Sequence, residues 1–109
     1  MALAVAASGS TSISTSVVTL NSGSFTTSGV YQLRLNLTPL ANGDEFEVQV
    51  LTKTVTGGSE AVYGTYRFLN AQGPKTWDHI PLASPYSISF TVQKIAGSDR
   101  TLEWLIVTL

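Results

Sequence analysis

A chain of 109 residues without cysteine is long enough to bury a modest core unaided and has no thiolate with which to hold zinc. Charged residues make up only 12% of it and the net charge is −1, against about 25% charged in an ordinary soluble domain. Its six basic residues are scattered singly, which argues against the clustered footprint of a nucleic-acid binder, and no run approaches the roughly 20 apolar residues of a bilayer-spanning helix.

Residues 2–7 are small and apolar, but no basic residue precedes them and the run is short for a signal-peptide core. The start therefore reads as that of a mature cytoplasmic chain. The Ser/Thr tract that follows offers little apolar area to offset backbone ordering. A loose N-terminal arm is expected over 1–10, and a single β-sandwich domain over 11–109. Its first strand is predicted over 11–20, where Ile13, Thr15 and Val17 share a face.

After the turn cluster at 21–24, alternation is clearest over 30–37, with Tyr31, Leu33, Leu35 and Leu37 on one face. Pro39 and Asn42-Gly43-Asp44 close that strand. Phe46, Val48 and Val50 then alternate with Glu45, Glu47 and Gln49. Gly57-Gly58 signals a hairpin, and the next strand sets Val62, Tyr66 and Phe68 on one face. A short strand or irregular segment is expected over 75–82, between Pro74 and Ser84-Pro85.

A C-terminal hairpin is expected to close the chain, its arms joined by a turn at 96–100. Tyr86, Ile88, Phe90 and Val92 mark the inward face of the first arm. In the second arm, Leu102, Trp104 and Ile106 match that inward register, while Leu105, Val107 and Leu109 form a second apolar row. A sandwich has one interior, so the second row is assigned, with Leu3 and Val5 of the arm, to an interface between copies of the chain. No helical periodicity persists anywhere. The chain reads as all-β: an antiparallel, jelly-roll-like sandwich or a small barrel.

Sites for chemistry are sparse. His79 stands beside Asp78, but neighbours on an extended chain point to opposite faces, so the pair reads as a surface or loop histidine beside a turn aspartate. Asp44, Glu45 and Glu47 lack the alternating loop of a calcium site and read as a solvated strand end. Asn36-Leu37-Thr38 fits the glycosylation pattern but is read as accidental, with Pro39 directly after it. Trp77 lies in a polar stretch between prolines and is the candidate surface anchor for a ligand. No catalytic residue, cofactor or metal is expected, and no nucleic-acid or membrane partner.

Several segments carry a family resemblance: 4–14, Gly29-Val30-Tyr31-Gln32, Leu40-Ala41-Asn42-Gly43-Asp44-Glu45, and Gly97-Ser98-Asp99-Arg100-Thr101-Leu102-Glu103-Trp104. Together they resemble small all-β structural proteins of tailed bacteriophages, of the capsid decoration or cement kind. Where such chains tend to carry Gly-Trp ahead of strand 86–95, this one has Ser84-Pro85-Tyr86-Ser87. The resemblance implies a virion protein, made in the host cytoplasm, that binds the major capsid protein and stabilises the head. For the homo-oligomer that the second apolar row points to, the resemblance favours a trimer over a dimer. The competing expectation is a carbohydrate- or receptor-binding module that uses Trp77.

Overall fold

A computed structural model describes residues 3–21 and 25–108. Nine strands are present among them: β1 (Ala4–Ile13), β2 (Val18–Thr19), β3 (Gly29–Asn36), β4 (Glu45–Lys53), β5 (Glu60–Leu69), β6 (Thr76–Asp78), β7 (Leu82–Ser84), β8 (Ile88–Ala96) and β9 (Arg100–Thr108). The pairings are nested and antiparallel. β4 pairs with β5, β3 with both β6 and β7, β2 with β8, and β1 with β9. Rolling that long double ribbon brings β9 against β3 and β8 against β4. Two sheets result, a first of order β1-β9-β3-β6 with β7 also on β3, and a second of order β2-β8-β4-β5. This is a jelly-roll sandwich. Neither sheet closes on itself, so the barrel alternative is not adopted.

The core follows the alternation. Leu33 and Leu35 of β3, Phe46, Val48 and Val50 of β4, Ile88, Phe90 and Val92 of β8, and Leu102 and Ile106 of β9 are all buried between the sheets. Each such side chain contributes roughly 1.5–3 kcal/mol when fully removed from water. Gln32, Arg34 and Asn36 take the opposite face of β3, as period-two geometry requires.

The terminal arms do not form a hairpin. Both edges of β8 are taken by β2 and β4, and both edges of β9 by β1 and β3, so the short connection between the arms crosses from one sheet to the other. The expected loose arm is also largely a strand. β1 runs along β9 from Ala4 to Ile13 with one irregularity between Val5 and Ala7. The strand predicted over 11–20 is interrupted by the residues between Ile13 and Val18, where the chain changes sheets.

The inward assignment of Tyr86 and the shared face of Val62, Tyr66 and Phe68 are revised by local geometry. Tyr86 precedes β8 and is 38% exposed. Val62 is half-exposed because the β4–β5 register shifts after Val50, so Val50 faces Gly64 but Leu51 faces Val62. One residue is skipped there, and a one-residue slip turns a side chain to the other face. Trp104 keeps its inward register but is only partly buried. Its indole lies against Gly9, where an added Cβ would stand 3.0 Å from the ring, and its Nε1 donates to Thr11 Oγ1 at 2.9 Å.

Candidate interaction surface

The outer face of the first sheet gathers the residues assigned to an interface. Val107 of β9 lies between Val5 of β1 and Gln32 of β3, and Leu105 lies between Ser8 and Arg34. Leu3 joins Leu105 and Val107 in lining a depression of about 110 Å³. Leu3 and Val5 are each 64% exposed, whereas Leu105 and Val107 are half-buried by their neighbours. Leu109 lies outside the described residues. A polar margin borders the stripe. Arg34 makes a two-pronged ion pair with Asp78, at 2.7 and 3.1 Å, and Asn36 Nδ2 donates to Glu103 Oε1 at 3.0 Å.

A second depression of about 200 Å³, lined by Arg34, Asn36, Thr76, Glu103, Trp104 and Leu105, adjoins the first. Both are smaller than the roughly 300–1,000 Å³ of a typical small-molecule site. Their size suits side chains of another protein surface. An apolar centre inside a polar rim is also the anatomy of a protein–protein contact.

Trp77 is not an exposed anchor. It sits on β6, pairs with Leu35, and turns inward. Its ring meets Phe68 at 5.0 Å and Tyr66 at 5.2 Å, and the residue is half-buried. The expectation of a surface histidine is corrected, since His79 lies in the connection between β6 and β7 yet is only 2% exposed. Its Nε2 stands 2.9 Å from the Tyr66 hydroxyl, and Tyr63 and Trp77 meet the ring edge-on. Among the described residues no group meets its Nδ1 in ordinary hydrogen-bond geometry. Burial holds the imidazole pKa below its ordinary value, opposed in part by the Ile80 main chain.

The expected solvated carboxylate cluster divides into two structural roles. Glu45 and Glu47 both pair with Arg67 across the outer face of the second sheet. Asp44 is instead buried. Arg100 Nε donates to its Oδ2 at 2.7 Å, with the main-chain N–H groups of Ala41 and Ser98 at 2.9 and 3.1 Å. The Arg100 bond first, and then those N–H groups, lower its pKa to about 2 against the cost of burial. Glu60 accepts from the buried Ser87 and Ser89 hydroxyls, a contact between β5 and the β8 segment that sequence spacing gives no hint of. Asn36 Nδ2, the atom glycosylation would modify, is engaged by Glu103. Among the described residues no group of three or more His, Asp or Glu is placed to hold a metal ion.

In comparisons with known proteins, no family model, no curated protein and no solved structure matches the chain.

Proposed function

We propose that this chain is a virion structural protein, a capsid decoration protein that binds the major capsid protein and reinforces the head. The observation that carries the proposal is the outer face of the first sheet. There Leu3, Val5, Leu105 and Val107 form an apolar stripe inside a rim of Arg34–Asp78 and Asn36–Glu103. A surface of that kind meets a partner protein. The rest of the molecule supports the same reading. Few charges oppose close packing among copies, and a decoration protein needs repeated weak contacts on a lattice more than one strong site. The resemblance to small phage structural proteins points the same way, as does the expectation of a homo-oligomer. A carbohydrate- or receptor-binding module is less favoured because its anchor, Trp77, packs against Phe68 and Tyr66.

Co-sedimentation with purified empty heads tests the proposal. The chain should pellet with the heads, and the pair Leu105→Lys and Val107→Lys should abolish pelleting while leaving the fold intact. A wild-type chain that stays in the supernatant would refute it.

A further inference from the structure

The sandwich has four open strand edges, and three of them carry features that discourage pairing with another chain. β2 is two residues long. The β6/β7 edge consists of two three-residue strands separated by His79-Ile80-Pro81. β5 bears Glu60 and Arg67, and its ladder with β4 is irregular. Short edges, proline, charge and bulges are the devices by which natural sheets blunt such edges.

The fourth edge lacks most of them. β1 is ten residues long, contains neither proline nor charge, and belongs to a stretch whose first charged residue is Arg34. Its single irregularity falls between Val5 and Ala7, so the run from Ala7 to Ile13 pairs regularly with β9. Among the described residues only β9 pairs with it, and no other hydrogen bond reaches its backbone. The side chains of Ser8, Ser10 and Ser12 are small and exposed, so at these positions β1 itself presents no bulk to a second backbone.

We infer that the free edge of β1 pairs antiparallel with β1 of a second copy of the chain. The occupant follows from symmetry and charge. An antiparallel pair of identical strands about a two-fold axis is self-complementary, each copy supplying what the other lacks. Two copies meeting here bring no like charges together, since β1 carries none. An edge that pairs with itself closes after two copies, so this contact selects the dimer over the trimer. The dimer contains one continuous sheet, eight strands wide, with both Leu3–Val5–Val107–Leu105 stripes on the same side. In the proposed decoration role, which the edge pairing does not depend on, that arrangement doubles the surface offered to a shell.

Sedimentation velocity of the full chain across the micromolar range should show a dimer. The exposed pair Ser10→Lys and Ser12→Lys should weaken it at least about tenfold without altering the fold. Amide exchange in the wild-type chain gives a second readout that needs no variant. Protection within residues 7–13 should rise with concentration as dimer forms. A monomer throughout, a dimer indifferent to the two lysines, or a dimer that leaves β1 amides unprotected and dissociates on Leu105→Lys would overturn the inference. Head binding is scored separately, so loss of the edge contact with heads still bound would sink this inference alone.

Discussion

Arg100 Nε lies 2.7 Å from Oδ2 of Asp44, and the bond fastens the start of β9 to the loop that ends at β4. It joins the two sheets at the point where the chain crosses between them. Gly97 completes the joint. Its φ is +93°, and a Cβ there would come within 2.6 Å of the Asp44 Cα. Gly97→Ala should therefore cost more stability than an alanine at any open turn glycine, such as Gly43.

The same joint sets an acid limit. The Asp44 carboxyl titrates at about 2 when folded, against 3.8 ordinarily. Its stabilisation is complete above the ordinary value and is lost as pH falls from there toward 2. The loss is on the order of 2 kcal/mol. Urea midpoints measured over that range should slope steeply for the wild type. Asp44→Asn should be less stable near neutrality and should flatten the slope; an unchanged slope would show that other carboxylates govern acid unfolding.

His79 sets a second pH window. The titratable groups facing it are Tyr63 and Tyr66 of β5, while the neighbouring Asp78 is turned outward to Arg34. With its folded pKa lowered from 6.5, the unfolded chain binds the proton first. Stability is therefore highest above about pH 6.5 and declines as pH falls toward the folded value. His79 is the single histidine, so one imidazole resonance reports the titration. A midpoint at or above 6.5 would contradict the burial described for it.

Trp104 and Gly9 should behave as a coupled pair. Trp104→Ala is expected to cost about 3 kcal/mol, at the lower end for a large aromatic because the ring is only partly buried. Gly9→Ala should destabilise the wild type by crowding the indole and do less harm once Trp104 is alanine. A double-mutant cycle with no coupling would show that the ring moves aside freely.

What was legible in the sequence is the part where one face is apolar and the other polar. β3 and β4 were readable from Leu33, Leu35, Phe46 and Val48 because period two sorts them cleanly. β1 was not, because Ser8-Gly9-Ser10-Thr11 has no hydrophobic contrast. That strand is held by its backbone ladder along β9, and Gly9 leaves room beside it for the Trp104 indole. The terminal arms looked like a hairpin because adjacency in sequence is the only pairing signal local reading provides. Their true partners, β1 to β4, lie far away in the chain. Asp44 and His79 were misjudged for a related reason, since a polar residue looks exposed until its distant partner, Arg100 or Tyr66, is known. The outward placement of Leu105 and Val107 was legible, since the opposite face of β9 already carries Leu102 and Ile106 into the core.

The most direct test of the proposed virion role is a density map of the intact particle. The chain, a flattened body with extents of 41 × 30 × 19 Å, should appear on the head surface with Leu105 and Val107 against the capsid protein. A particle that lacks the chain, or one that carries it with that face turned to solvent, would contradict the account.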